Sequence, residues 1–199
     1  MRKLWSLFIT IGLCLVTSCR SHQPDRDTVV FLIETSPTNL DPRIGTDAQS
    51  EHIDELLFDG LVVRDASFRV APGLAERWEQ PDPLTLIFHL HPNVHFSDGR
   101  LLTSRDVLWT LNSMRNGAII TPKAASYASV ASIEAPDATT VVLHLKVPDN
   151  FLLTNLSSGA MGIVPYGSGR DFWLHPVGSG PFRFVSQEID KEVVIERNP

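Results

Sequence analysis

The sequence predicts an α/β fold, because strand patterns and capped helix patterns follow each other along the chain. Residues 84–90 alternate in the period of two that is typical of a strand with one buried face. Residues 97–99 (Ser-Asp-Gly) supply turn chemistry directly after that strand. Thr103 and Asp106 then form a capping box. Behind the box, apolar residues recur at helical spacing, at Val107, Leu108, Leu111 and Met114.

The composition is that of a globular protein that begins with an export signal. Apolar residues make up 43% of the chain and charged residues 20%, and no low-complexity tract is present. Arg2 and Lys3 precede a short apolar run, so residues 1–18 are predicted to be a signal peptide. Val16-Thr17-Ser18-Cys19 looks like the lipobox of bacterial lipoproteins, in which Cys19 would be lipidated. An ordinary signal peptide and a membrane anchor are the alternatives, although a membrane span needs about 20 apolar residues.

The charge and the cysteines restrict the possible partners of the exported chain. Removal of residues 1–18 changes the formal charge from −6 to −8, and no Lys/Arg cluster remains. This balance argues against nucleic acid as a partner. Cys14 leaves with the signal and Cys19 is the proposed lipid site, so the exported domain has no disulfide and depends on core packing. Residues 19–27 are polar and are predicted to be a tether.

The first half of the domain is predicted to contain a strand, a loop, a helix and a hairpin, in that order. Residues 28–33 are β-branched and apolar, which predicts a buried strand, and residues 34–42 form a loop because they contain two prolines. Thr46 and Gln49 are typical of a second capping box, and the helix behind it is expected to bury Ile53, Leu56 and Leu57. Residues 61–63 and 68–70 are predicted to be two strands around a turn.

The second half adds a strand pair, a short helix and a last strand. Residues 116–126 lack a steady period and contain Gly and Pro, which predicts a loop. Strands are predicted at 129–134 and 140–146, joined by a proline turn, and a further strand at 192–196. Asn150 is expected to cap a short helix at 151–156.

Several of these segments resemble one protein family. Residues 72–78 (PGLAERW), 85–90 (TLIFHL) and 94–107 (VHFSDGRLLTSRDV) are similar to the family 5 extracellular solute-binding proteins. Shorter likenesses lie at 57–61 (LFDGL) and 178–182 (GSGPF). Members of this family are the substrate-capturing components of peptide and nickel ABC importers.

The resemblance implies a fold and a domain plan. It implies a periplasmic-binding-protein-like fold of type II, in the peptide-binding cluster, with mixed β-sheets and flanking helices. Residues 28–199 would form the N-terminal portion of the family domain. Family members are much longer, and their second lobe would follow the Arg197-Asn198-Pro199 segment, so the chain is expected to be an incomplete receptor; a genuinely short protein is the alternative.

The resemblance also implies where a ligand would lie. The loop after the first predicted strand approaches the ligand cleft in this family, which makes Thr35, Ser36 and Pro37 candidate ligand contacts. Trp173 is a fourth candidate, because it stands in a loop with Tyr166 and Phe172. Trp78 and Trp109 lie inside regular stretches and are expected to belong to the core.

No residue set predicts catalysis. His89, His91 and His95 could bind zinc or nickel, but His89 is ordinary in the corresponding strand of the family, and we predict no metal site. Ser179 lacks the flanking pattern of a nucleophile elbow. Its neighbouring glycines are expected to allow a close backbone approach or a positive φ. No cofactor and no enzymatic activity are expected.

The predicted function is therefore that of a binding protein. An exported, lipid-anchored receptor would capture oligopeptides, dipeptides or similar small solutes and deliver them to ABC permease subunits. Two alternatives remain at this point: a secreted metal-dependent hydrolase that uses the histidines, and an envelope lipoprotein with a sensory or structural role, since a fold does not fix a function.

Overall fold

The computed structural model of the protein describes residues 29–158 and 161–198. The predicted signal peptide (1–18) and tether (19–27), with Cys19, lie outside the described residues. The chain divides after Leu32 into two units, and the elements below all belong to the second. None of the helices in the described ranges combines the length and the hydropathy of a membrane span.

A four-stranded antiparallel sheet forms the largest part of the fold. Its strands are β3 (Ala75–Asp82), β4 (Thr85–Leu90), β5 (Val130–Asp137) and β6 (Thr140–Leu145), in the order β3-β4-β6-β5. Along β4, buried and half-buried side chains alternate, as the sequence predicts. Phe88 lies opposite Trp78 on one side and Val141 on the other, so the buried face is continuous across the sheet.

Within the described residues, two hairpins and three α-helices complete the fold. One hairpin is β1 (Val62–Arg64) with β2 (Val70–Pro72), and the other is β7 (Phe182–Glu188) with β8 (Glu192–Arg197). The helices are α1 (Ala48–Leu57), α2 (Ser104–Arg115) and α3 (Leu152–Leu156), and two 3₁₀-helices span Pro122–Tyr127 and Phe172–Leu174. The main core joins the sheet to α2, with Phe88, Val107, Leu111, Val141 and Leu143 almost fully buried.

The capping box predicted for α2 is confirmed. The backbone N–H of Thr103 donates to Oδ2 of Asp106 over 2.8 Å. Oδ1 of the same carboxylate accepts from the backbone N–H of Tyr166 over 2.8 Å. One acidic side chain therefore caps the helix and also attaches the 161–169 segment to it.

The cap and the buried face of α1 differ from the prediction. The N-cap is Asp47, whose Oδ1 accepts from the backbone N–H of Ser50 over 2.9 Å, and Thr46 does not cap the helix. The fully buried positions are Ser50, Asp54 and Leu57, whereas Ile53 and Leu56 are half-buried. The side of α1 that packs against the protein interior is therefore not its purely apolar side, because polar side chains of the helix fit beside neighbouring loops.

Three other local predictions are wrong. Residues 29–33 form no strand, and Leu32 is 98% exposed. A buried strand needs a neighbour for its backbone hydrogen bonds, and no described strand pairs with this segment. The short helix α3 begins after Phe151, whose N–H donates to Asp149, so Asn150 is not its cap. Part of the predicted loop 116–126 is the 3₁₀-helix that starts at Pro122.

Two glycines let the segment before β7 cross the end of α1. A Cβ on Gly178 would lie 1.8 Å from the carbonyl oxygen of Leu57, and a Cβ on Gly180 would lie 2.7 Å from the same peptide group. The backbone N–H of Gly180 donates to that carbonyl over 2.9 Å. Close approach, the first of the two roles predicted for these glycines, is therefore the one that the structure uses.

Candidate functional site

Two adjoining depressions form a concave strip beside α1. The larger has a volume of about 500 Å³ and the smaller about 340 Å³. Arg64 and Ser158 line both, so the two share a border. The larger is also lined by Glu55, Phe58, Asp59, Gly60, Val62, Val63, Asp65, Phe68 and Ser157. The smaller is also lined by Thr46, Glu51, Pro122, Lys123, Ser126, Tyr127, Asn155 and Met161.

The tip of the β1–β2 hairpin places an aromatic ring at the larger depression. Asp65 accepts hydrogen bonds from the backbone N–H groups of Ser67 (2.8 Å) and Arg69 (3.0 Å), and from the Arg69 guanidinium. The Arg69 backbone and side-chain bonds hold the pKa of Asp65 below its usual value. Inside this turn Phe68 has a φ of 60° and is 83% exposed. A bulky residue in that conformation is strained, and such strain concentrates at functional positions.

Arg64 stands between the depressions in a fixed position. Its Nε donates to Oγ of Ser157 over 3.3 Å, and its Nη2 donates to the carbonyl of Thr154 over 3.2 Å. Among the residues that the structure describes, Nη1 has no hydrogen-bond partner. The end of α3 therefore orients the guanidinium and leaves one of its edges available to a ligand.

Lys123 brings a second cation to the smaller depression. It lies at the start of the 3₁₀-helix, where Oγ1 of Thr121 accepts its backbone N–H over 3.2 Å. Its Nζ donates to the carbonyl of Pro42 over 2.7 Å. Burial lowers the pKa of Lys123, and the carboxylates of Asp54, Glu51 and Asp41 oppose that shift.

A buried carboxyl group, that of Asp54, lies behind this depression on α1. Asp54 is fully buried, and within the described ranges neither carboxylate oxygen has a hydrogen-bond partner. Burial raises the pKa of Asp54 to about 8, and the charge of Lys123 partly opposes the rise. Asp54 is therefore mainly protonated at pH 7 and adds little negative charge to the site.

The two depressions differ in charge. The larger is lined by the carboxylates of Glu55, Asp59 and Asp65, with Arg64 at its border. Burial raises the pKa of Asp59. The smaller has Arg64 and Lys123 against Glu51. The strip is therefore acidic at one end and basic at the other, which suits a small solute that carries both charges.

The residues predicted as ligand contacts lie elsewhere. Thr35 is exposed, Ser36 half-buried and Pro37 buried, and none of them lines either depression. Ser36 and Pro37 instead hold the β7–β8 hairpin, since Oγ of Ser36 accepts from the N–H of Asp190 (2.6 Å) and the Pro37 carbonyl accepts from Gln187 (3.2 Å). Trp173 is half-buried in its 3₁₀-helix, also outside the strip. Ligand contact by these four residues stays a prediction.

The three histidines of the central stretch each have a separate neighbour. Nε2 of His89 lies 3.0 Å from Oε1 of Glu79, and Nδ1 of His95 lies 2.9 Å from the carbonyl of Asn93. Nδ1 of His91 lies 3.8 Å from Glu76. In residues 29–158 and 161–198, no three His, Cys, Asp or Glu side chains form a group that could hold a metal ion.

Sequence reasoning missed the charged residues that line the strip. Arg64 and Lys123 stand in segments predicted to be a turn and a loop, and nothing local indicates that they share a depression. Asp54 could have been found, because Ser50, Asp54 and Leu57 have the spacing of one helix face. Trp78 and Trp109 do pack against the two core clusters, as predicted.

The sequence is similar to known proteins over most of its length. Residues 69–199 match the sequence profile of the bacterial extracellular solute-binding proteins, family 5, middle region. A Brucella ovis protein, named as a candidate peptide-binding protein of an ABC transporter, is 36% identical over 154 residues. That match covers 71% of this chain and 29% of the relative. The HTH-type transcriptional regulator SgrR of Salmonella typhi is 28% identical over 166 residues, which is 82% of this chain and 29% of the regulator.

Solved structures agree on the fold. The binding protein AgaA of A. tumefaciens R10, in complex with agropinic acid, superposes with a TM-score of 0.77 at 27% identity. The match covers 82% of this chain and 34% of AgaA. The fold is that of the type II periplasmic binding proteins, as the sequence predicts. The chain spans about a third of the length of the relatives that it matches.

Proposed function

The chain belongs to the bacterial extracellular solute-binding proteins of family 5, and from this premise we propose that it captures a small solute outside the cytoplasm for an ABC transporter. The observation that carries the proposal is the concave strip beside α1, where an acidic and a basic depression share Arg64. The relatives reported above include binding proteins, and the strip offers charged anchoring groups without a nucleophile and base in contact.

The proposed ligand is a short peptide or a similar small solute with charged ends. Fixed donors and acceptors in a concave site determine the orientation of such a ligand, while apolar and aromatic side chains supply contact area. Phe68 would supply that area at the larger depression, and Arg64, Lys123, Glu55 and Asp59 would supply the polar anchors. The acid bound by AgaA supports a ligand of this size and polarity.

The proposed mechanism is capture by enclosure, followed by delivery. In a two-lobed receptor the lobes close about a hinge and exclude water from the ligand. The strip would form part of one wall of the closed cleft. The proposed partners are the ABC permease subunits, and the proposed anchor is the lipid on Cys19, which would hold the protein at the membrane in the periplasm or cell envelope.

A sensory role is the second candidate, and the similarity to SgrR favours it. A solute-binding unit in a regulator would use the same strip, and ligand binding would be read by another part of that protein. The two candidates share the binding step and differ in the partner. Co-purification of ABC permease subunits with the intact lipoprotein would support transport, and their absence in the presence of ligand would favour sensing.

A thermal melt with a mixed library of dipeptides and tripeptides tests the binding step. A ligand that binds only the folded state raises the midpoint by mass action. With the second lobe present, we expect an upward shift that increases with library concentration and is reduced in the Arg64→Gln variant. A midpoint that does not move at millimolar peptide would contradict the proposed function.

A further inference from the structure

The helix α2 ends in an exposed turn that contains an asparagine followed by a glycine. Asn116 is the C-cap of the helix, and its backbone N–H donates to the Asn112 carbonyl over 2.9 Å. Gly117 follows with a φ of 77°, a conformation that glycine adopts without strain. Asn116, Gly117 and Ala118 are all exposed, and a Cβ on Gly117 would meet no described atom within 4 Å. The peptide between Asn116 and Gly117 therefore has room to move.

An asparagine that precedes a glycine can lose ammonia in an intramolecular reaction. The backbone nitrogen of the glycine gives up its proton and attacks Cγ of the asparagine side chain. The new C–N bond closes a five-membered succinimide ring, and the side-chain nitrogen takes up a proton and leaves as ammonia. Water then opens the ring at either carbonyl, which gives aspartate or isoaspartate. Water is the only co-reactant that this sequence of steps requires.

The hydrogen bonds of the turn favour attack at the Asn116 side chain. The backbone N–H of Ala118 donates to Oδ1 of Asn116 over 3.1 Å. Negative charge develops on this oxygen when Cγ is attacked, and a donor that is already in place stabilises that charge. The N–H of Gly117 makes only a long bond, of 3.3 Å, to the Met114 carbonyl. The ψ of Asn116 is 2°, so the peptide must rotate before the attack, and the exposed turn allows that rotation.

Asn39 makes the same kind of turn in a closed environment. Its Oδ1 accepts from the backbone N–H of Asp41 over 2.9 Å, as Oδ1 of Asn116 accepts from Ala118. The residue after Asn39 is Leu40, which is fully buried. The Asn39 backbone N–H also donates to Oγ of Ser50 over 3.1 Å. The peptide after Asn39 is therefore held by the packing of Leu40, and Asn39 serves as an internal control for Asn116.

A change at Asn116 would reach the packing of α2. The backbone N–H of Ile119, a buried residue, donates to the Ser113 carbonyl over 2.7 Å, so residues 116–118 link the helix to a fixed point. Isoaspartate adds a methylene group to the backbone of this link. Either product adds a negative charge at the C-terminus of the helix, where the helix dipole disfavours it. Met114, in the last turn of α2, belongs to the main core.

We propose that Asn116 is a site of spontaneous deamidation, at which the Gly117 nitrogen attacks the Asn116 side chain and the product loosens the last turn of α2. The modification changes the chain with age. It does not depend on which solute the protein binds.

Peptide mass spectrometry of the full chain after incubation at pH 8 tests the site. Cleavage after Arg and Lys isolates residues 116–123 and residues 27–43, each with a single asparagine. Relative to protein digested without incubation, we expect deamidation at least about tenfold faster at Asn116 than at Asn39. The rate at Asn116 should fall at pH 6, because the attacking nitrogen must lose its proton. In urea, Asn39 should lose its protection. Equal rates at the two sites in the folded protein would overturn the proposal, and so would deamidation of Asn116 only in urea.

Thermal melts of incubated protein test the effect on α2. The matched variant is Asn116→Gln, because a glutamine would have to close a larger ring. We expect the melting midpoint of the unmodified protein to fall as the deamidated fraction rises, and that of Asn116→Gln to stay constant. Fresh Asn116→Asp protein gives the effect of the charge alone, and a larger fall in the incubated protein is the effect of isoaspartate. A constant midpoint in protein that is deamidated at Asn116 would overturn the loosening of α2.

Discussion

At the scale of single residues, a buried ion pair connects distant segments of the chain. Arg43 and Asp41 both have fully buried side chains, and Nη2 of Arg43 lies 2.7 Å from Oδ2 of Asp41. The same guanidinium donates to the carbonyls of Ser168 (3.2 Å) and Gly169 (3.1 Å). The loop that precedes α1 is thereby attached to residues 168–169, far away in sequence.

Removal of one partner of this ion pair should lower the free energy of unfolding. In the Arg43→Ala variant, Asp41 stays buried without its counter-ion, and breaking a buried pair in this way costs about 3–5 kcal/mol. Urea denaturation measures the loss. The control is Arg69→Ala, which removes a pair on the exposed hairpin tip, where solvent screens the attraction and the loss should be small. Equal losses in the two variants would contradict the role given to Arg43.

Asp54 should make the stability of the protein depend on pH. Its pKa is raised by burial from 3.8 to about 8 in the folded state, so the folded protein binds a proton that the unfolded chain releases. The stabilisation is complete below pH 4 and is lost as the pH rises towards 8, at about 1.4 kcal/mol per pH unit within this window. Asp54→Asn should therefore unfold with a flatter dependence on pH and be more stable than the unmodified protein at pH 8.

Thermal melts at pH 5, 6.5 and 8 check this expectation. Glu55→Gln is a suitable control, because Glu55 lies on the same helix but is exposed. Its pH dependence should match that of the unmodified chain. If the melting temperature of Asp54→Asn depends on pH between 5 and 8 as steeply as that of the unmodified protein, the buried carboxyl does not titrate in this window.

Whether the role of a residue could be predicted depends on how far apart in sequence the interacting groups lie. The capping box of Thr103 and Asp106 was predicted, because both partners lie within one turn of the chain. The capping of α1 by Asp47 was not predicted, since the neighbouring Thr46 is also a residue type that commonly caps helices. Arg43, Arg64 and Lys123 acquire their roles from segments that only the folded chain brings together, and no sequence period encodes those contacts.

At the scale of elements, the end of α1 and the segment before β7 depend on each other. Gly178 and Gly180 lie against the Leu57 peptide, and the N–H of Gly180 donates to the Leu57 carbonyl. The N–H of Ser97 donates to the Gly178 carbonyl over 2.8 Å, so the turn before α2 joins the same junction. Three separate parts of the chain therefore meet beside the larger depression.

A methyl group added at Gly178 should push the end of α1 and the segment before β7 apart. In Gly178→Ala the new Cβ would lie 1.8 Å from the Leu57 carbonyl oxygen, and the contact is with backbone that cannot rotate away. We expect a loss of about 3 kcal/mol in the free energy of unfolding, the upper end of the usual cost of overpacking. Gly169→Ala is the matched control, because a Cβ there meets no atom within 4 Å and should cost little. Similar denaturation midpoints for the two variants would show that the junction can move.

Elements with a strong period were predicted well and the others poorly. Strands β4 and β6 alternate clearly, and their predicted bounds differ from the observed ones by one residue at most. Strand β7 was not predicted, because its residues 182–188 mix exposed and half-buried positions without a clear apolar face. Residues 29–33 show the opposite failure: their strand propensity is strong, but they form no strand, and no strand in the described ranges pairs with them.

At the scale of the whole molecule, the family profile and the solved structures establish the family and the fold, whereas the ligand is a proposal. The family profile covers most of the described domain, and the spaced motifs from Pro72 to Val107 were enough to predict both the family and the fold class. The binding strip could not be predicted, because it is assembled from α1, β1, the 3₁₀-helix at Pro122–Tyr127 and the end of α3.

Native mass spectrometry of the full chain with a mixed library of short peptides tests the central claim most directly, because it counts bound molecules and identifies them by mass. We expect a one-to-one complex with short peptides, at a much lower level in Arg64→Gln and unchanged in Arg69→Gln. A spectrum with no bound peptide at millimolar library concentration would contradict the account, and so would the same level of complex in all three proteins.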